Sequence, residues 1–133
     1  MNKSETGKLG EDLACAYLVD KGFTILFRNV RQKWGELDIV ARGKNGILAI
    51  VEVKAMKDNS PFAPEENLTK AKFKKLARTA SLFVGSHPEL IKEKKGWRID
   101  LLAITITNPD AVRESEKLTD ILKYCTINHY ENL

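Results

Sequence analysis

The sequence predicts an α/β protein, a mixed β-sheet flanked by helices. Three observations carry that prediction. Two segments, about 4–21 and 69–84, repeat apolar residues at helical spacing. Four runs, 23–30, 36–42, 47–54 and 97–106, are rich in β-branched and aromatic residues. Their order is helix, three strands, helix, strand. This α-β-β-β-α-β order fits a sandwich with one helix on each flank or both on one face.

The first helix has Ser4 or Thr6 as candidate N-cap and Gly22 as its stop. Leu9, Leu13, Ala16 and Tyr17 form one stripe; Gly7, Glu11, Ala14 and Leu18 form a second on the far side. A helix apolar on two sides is well covered, which makes Glu11 conspicuous. Gly7, Gly10 and Ala14 are small enough to let the helix approach other backbone closely. "FTILFRNV" opens the sheet, "QKWG" turns the chain, and 36–42 returns against 47–54. Residues 56–67 read as a loop, since Pro61 and Pro64 exclude regular structure. The second helix turns Phe73, Leu76, Ala77, Ala80 and Phe83 inward. "GSHPEL" ends it, and a lysine-rich turn leads into "WRIDLLAITI". "TNPDAVRESEKL" reads as a loop, and 119–130 fits strand or helix.

At 133 residues the chain fits one domain, 1–133, with a core of about 4–107 and a C-terminal extension, 108–133. With 43% hydrophobic and 30% charged residues, it is a globular rather than a disordered chain. No apolar run approaches membrane-span length, and "MNKSETGKLGEDL" has no apolar core of a signal peptide. Cys15 and Cys125 fit no metal or redox spacing. The expectation is a cytoplasmic protein with no membrane partner.

The net charge of +4 and pI near 9.1 favour a polyanionic partner. Lys70, Lys72, Lys74, Lys75 and Arg78 form a run with no acid before Glu89, and Lys92, Lys94, Lys95 and Arg98 form a second cluster. Such a run is commonly a solvated helix face; the lack of acids makes it a candidate nucleic-acid surface.

The hairpin "GELDIVARGKNGILAIVEVKA" sets Asp38 inside one apolar run and Glu52 and Lys54 inside the next. Asp38 and Glu52 share a face when the paired residue numbers have an even sum, which needs a three- or five-residue loop. A two-residue turn at Asn45-Gly46 would separate them. Three separately buried charges cost more than a less favoured turn, so the looser loop is expected. Together the carboxylates of Asp38 and Glu52 would ligate Mg²⁺ or Mn²⁺. The ion would polarise a phosphoryl oxygen, with Lys54 holding the attacking water. The bland alternative is a structural ion pair of Lys54 with either acid. Glu11 and the basic helix favour the catalytic reading. Asp100 is expected to pair with Arg98, His87 and His129 to lie on the surface, Trp34 and Trp97 to anchor the core, and Glu36 to cap a strand.

"D-x13-E-V-K" after a helix bearing a glutamate resembles the PD-(D/E)XK, or restriction-endonuclease-like, superfamily, and the helical glutamate is similar to that of Holliday-junction resolvases. "GKLGEDLACAYLVDKGFTILFRNVR", "GELDIVA", "AIVEVKA", "FAPEENLTKAKFKKLARTA", "WRIDLLAI" and "INHYENL" together resemble the YraN family of predicted endonucleases. The resemblance implies the nuclease fold, metal on Asp38 and Glu52, and Lys54 and Glu11 beside it. It implies a metal-dependent phosphodiester hydrolase acting on structured or branched nucleic acid, DNA ahead of RNA, in repair or recombination. A two-fold homodimer is implied by analogy with junction-cutting relatives. The alternatives are a non-catalytic nucleic-acid-binding module and a basic protein-interaction subunit. The chain departs from the family pattern at Leu37, where the superfamily has proline. It departs also at Met56-Lys57, where an arginine is usual, and at Lys72-Phe73, where Lys-Gln is common.

Overall fold

Helix α1 (Lys3–Asp20) opens the described part of the chain, residues 2–133 of a computed structural model. Its N-cap is Asn2, not Ser4 or Thr6: Asn2 Oδ1 accepts from the Glu5 N–H at 2.9 Å. Thr6 is buried inside the helix and donates its hydroxyl to the Asn2 carbonyl. Gly22, at φ +92°, ends the helix as expected. Its N–H donates to Val19 O and the Phe23 N–H to Leu18 O, the paired closure that satisfies the last carbonyls.

Strands β1 (Thr24–Gln32), β2 (Gly35–Arg42) and β3 (Leu48–Lys57) follow, then helix α2 (Lys70–Ser86) and strand β4 (Trp97–Ile106). The expected loop 107–118 contains a short helix, α3 (Pro109–Glu114). Asn108 caps it, Pro109 fits its first turn, and Val112 is buried beneath it. The ambiguous tail is helix and then strand: α4 (Leu118–Ile121) and β5 (Cys125–Tyr130). The five strands form one sheet in the order β1-β2-β3-β4-β5. β3 and β4 run parallel, and the other neighbours antiparallel. The sheet is mixed, as expected.

The helices take opposite faces, one of the two arrangements the sequence allowed. Leu13, Ala14 and Leu18 of α1 pack with Ile39, Val51, Leu102 and Ile104. Leu76, Ala80 and Phe83 of α2 pack with Leu37, Val40, Leu48, Ile50 and Ile99. The buried face of α1 runs between the two apolar stripes, through Gly10 and Ala14. Gly10 is where the helix touches the sheet: a Cβ there would come within 2.4 Å of Ala55 Cβ. Gly7 has no such constraint, since nothing lies within 4 Å of a Cβ there.

β5 is held by a buried acid. Asp100, wholly buried, accepts from His129 Nε2 at 2.8 Å, from the Asn132 N–H at 3.0 Å and from Arg98 Nη2 at 3.2 Å. Burial alone would raise this carboxyl; the histidine, the backbone N–H and the guanidinium outweigh it and hold the acid below its usual range. The expected Arg98 pairing is present. His129 is not a surface residue, because Asp100 and the edge of the Tyr17 ring enclose it. His87 is half-buried at the end of α2, where it stacks on Phe83 at 4.4 Å and bonds the Phe83 carbonyl. Among the described residues, no helix is long and apolar enough to cross a membrane.

Gly10→Val should cost about 1–3 kcal/mol by overpacking against Ala55. The check is a urea unfolding midpoint, with Gly7→Val, expected to cost less, as the control.

Candidate functional site

The register brings the two acids together. Ile39 faces Val51 and Val40 faces Ile50, an even sum, across a loop of residues 43–47. The Gly43 N–H donates to Ile47 O at 3.0 Å, and Asn45 Oδ1 accepts from the Ile47 N–H at 3.1 Å. The looser loop therefore forms despite the Asn-Gly pair. The Asn45 side chain bonds within the loop and satisfies its backbone, so the two-residue alternative is not needed.

At Asp38 the strand departs from simple alternation. Leu37 joins the α2-side cluster, yet Ile39, two residues on, joins the α1-side cluster. On β1, pairing skips Asn29, which would oppose Asp38 and which adopts φ +51°. The β2–β3 ladder also ends at Ile39–Val51, although both strands continue. Asp38 thus stands where β2 and β3 part. Its Oδ2 accepts from the Val53 N–H at 2.8 Å, so a side chain takes a bond that a neighbouring strand would otherwise supply. Leu37, in the superfamily's proline position, is fully buried, so this departure adds to the α2-side core.

Glu52 lies beside Asp38, close enough for the two carboxyls to share a proton. Burial pushes its carboxyl up to about 9, with the hydrogen bond to Asp38 and that residue's charge adding to the effect. Lys54 Nζ, at 3.8 Å from Glu52 Oε2, acts the other way. Glu11 reaches the cluster from α1: burial first, then the charge of Asp38, pushes its carboxyl up, while Arg28 opposes. Glu11 Oε1 is buried without a hydrogen-bond partner among the described residues. Arg28 is itself engaged by Asp12 at 2.8 Å.

On the α2 side Glu52 and Lys54 open into a cleft of about 320 Å³ lined also by Glu36, Lys72, Lys75 and Thr79. The basic run is therefore divided. Lys72 and Lys75 line the cleft, whereas Lys70, Lys74 and Arg78 are exposed on α2 outside its lining. In the second cluster Arg98 is bound to Asp100. Glu36 is exposed at the start of β2 and pairs with Arg31 at 3.3 Å. Phe73, in the family's glutamine position, packs against the α2-side core.

Sequence reasoning missed Thr79 and Asn29. Thr79 Oγ donates to Trp34 O at 3.3 Å and bonds Lys75 O at 2.9 Å, tying α2 to the start of β2. Gly35 makes that approach possible, because a Cβ there would meet Thr79 Oγ1 at 2.6 Å. A hydroxyl on the buried face of an otherwise apolar stripe was the only available signal for Thr79. For Asn29 it was an Asn, tolerant of positive φ, within a strand.

Two carboxyls sharing a hydrogen bond need a proton or a cation between them, and Glu11 adds an unpaired oxygen. That donor set fits a hard divalent cation. Among the described residues, no three His, Cys, Asp or Glu side chains gather as a ready-made metal centre. An ion here would rest on Asp38 and Glu52, with solvent or substrate oxygens completing its shell.

A five-stranded mixed sheet between two helices, with Asp38 at the fork and Glu52 and Lys54 on the next strand, defines a protein of the restriction-endonuclease-like fold class. The model of the family described as "Uncharacterised protein family UPF0102" matches residues 10–104, and the chain belongs to that family, which is the YraN family. A UPF0102 protein of Sulfurihydrogenibium sp. is 36% identical over 104 residues, covering 78% of this chain and 87% of its own. One from Dictyoglomus turgidum is 35% identical over 118 residues, covering 89% and 97%. One from Campylobacter lari is 38% identical over 98 residues, covering 74% and 81%.

The raised Glu52 carboxyl has a sign that can be read. It stays protonated in the fold while its unfolded counterpart ionises above about 4.5, so stability falls as pH rises from there towards about 9. In chelator, Glu52→Gln should therefore melt higher than the parent, by a margin that widens across that range. A pH series of thermal unfolding midpoints checks it.

Proposed function

We propose that the protein is a metal-dependent nuclease that hydrolyses phosphodiester bonds in structured or branched nucleic acid. The observation that carries this reading is the Asp38–Glu52 contact, with Asp38 held by a backbone N–H and Lys54 alongside. A purely structural carboxylate is surrounded by donors, as Asp100 is. Asp38 and Glu52 instead face each other beside an open cleft.

Asp38 and Glu52 would hold Mg²⁺ or Mn²⁺, which when bound would polarise a phosphoryl oxygen and acidify a water. Lys54 places an ammonium group where it can orient that water and offset charge on the phosphate. Lys72 and Lys75 stand across the cleft and supply phosphate contacts on the substrate's approach. Glu11 lies on the other side of the fork, where its unpaired oxygen can accept from a water or join the ion's shell. DNA is the preferred polymer and the chain carries all four groups itself; a two-fold dimer would set two such clefts against a branched substrate.

Asp38→Ala and Glu52→Ala should each reduce Mg²⁺- or Mn²⁺-dependent cleavage of flapped and four-way-junction DNA to background, while salt-sensitive binding persists. Metal-dependent cleavage that survives both substitutions would sink the assignment. If both proteins and the parent bind DNA but none cuts, the non-catalytic binding module is the correct reading.

The divided basic helix gives a second expectation. Lys72→Ala with Lys75→Ala should lower the log–log salt dependence of DNA binding by about 2, roughly one phosphate each. Lys74→Ala with Arg78→Ala should change it less. Fluorescence anisotropy from low to moderate salt measures both.

A further inference from the structure

We infer that a second cleft, formed by the segment after β3 and the β4–β5 edge, receives an unpaired nucleobase of the substrate. This inference rests on the nuclease reading for the identity of the polymer, and it names the feature of the substrate that the site selects.

The cleft, about 350 Å³, is lined by Ser60, Phe62 and Glu65 of that segment together with Lys57, Thr105 and Asn128. It opens on the face that carries Glu52 and Lys54. In the sheet register Lys54 lies beside Ala103, and Ala103 beside Asn128; Met56 lies beside Thr105. Side chains in such a row share a face. Asn128 is therefore two strands from Lys54, about 10 Å away. That separation suits a nucleotide one or two steps from the phosphate held at Lys54.

Phe62 is 59% exposed, unusually so for a phenylalanine, yet its segment is well tethered. Its N–H donates to Ser60 Oγ at 3.3 Å, and the Ser60 N–H donates to Lys57 O. Pro64 is buried, Tyr130 donates to Glu65 Oε2 at 2.5 Å, and Asn67 Nδ2 contacts Met56 Sδ at 3.3 Å. A ring presented from a fixed segment loses little freedom when a flat partner stacks on it.

The charges choose between a base and a phosphate. Asp58 and Glu65 border the cleft against Lys57, so a phosphate gains little there. A neutral heterocycle can stack on Phe62 and meet the amide of Asn128 and the hydroxyl of Thr105 at its edge. A base inside a duplex is already stacked and cannot enter. Selection for flaps or single strands over paired duplex follows.

The test is equilibrium binding in EDTA, where cleavage does not intervene. Flapped DNA with 2-aminopurine in the flap is compared with fully paired duplex of equal length. Phe62→Ala should weaken flap binding by about 10- to 100-fold and abolish the change in 2-aminopurine emission, with duplex affinity retained. Phe62→Trp should restore both. Equal flap affinity in the parent and Phe62→Ala proteins, or an equal loss on duplex, overturns the inference while leaving the nuclease reading intact. Binding to neither DNA overturns both.

Discussion

The bond from the Val53 N–H to Asp38 is the constraint on which the site depends. β2 and β3 pair as far as Ile39 and Val51 and then separate. An open strand end inside a protein leaves backbone donors that must be satisfied. A carboxylate rather than a carbonyl fills that role here, so a backbone requirement fixes a reactive side chain. The break in alternation at Asp38, the positive φ of Asn29 opposite and the skipped β1 pairing belong to one local distortion. It lets one residue address groups on both faces: Glu52 on the side of α2, and Glu11 on the side of α1.

A buried acid and a half-buried one in this chain show opposite solutions to the cost of burying charge. Asp100 is surrounded by His129, Arg98 and a backbone N–H and is held ionised. It fastens β5 and the end of the chain to β4. Glu52 has a carboxyl neighbour and one lysine, and burial pushes it towards protonation. A site meant only for stability has no use for the second arrangement, because apolar groups of similar size would be cheaper there. The contrast between them is a stronger functional pointer than either shift alone.

Much of the fold was legible because its signals are local. β-branched runs marked β1 to β4, Thr69 marked the start of α2, and the strand 97–106 was placed to the residue. Charge placement decided the hairpin register against the Asn-Gly turn rule, since burying the acids apart would have been the larger cost. The misses were contextual. Asn2 capped α1 because the helix began earlier than the apolar stripes implied, and residues 109–114 coiled because Val112 found a place beneath α1. His129 looked superficial because its partner, Asp100, lies twenty-nine residues away and meets it only through strand pairing. Composition could not divide the basic run either; which lysines face the cleft depends on the rotation of α2, set by Thr79 against Trp34 and the missing Cβ at Gly35.

The parallel pairing of β3 with β4 has a consequence for how the protein is made. Leu48 lies beside Trp97 and Lys57 beside Ile106, so β3 waits for a partner separated from it by the whole of α2. The β1–β2–β3 meander can close early, through short loops. The parallel edge of β3 forms only after that larger loop has been closed. During synthesis the strand bearing Glu52 and Lys54 therefore exists first as an open sheet edge, and its surroundings are completed only as β4, then β5, dock. Completion of the sheet is thus a late folding event, which leaves a nascent or truncated chain with its carboxylates in place on a strand whose far edge is still open.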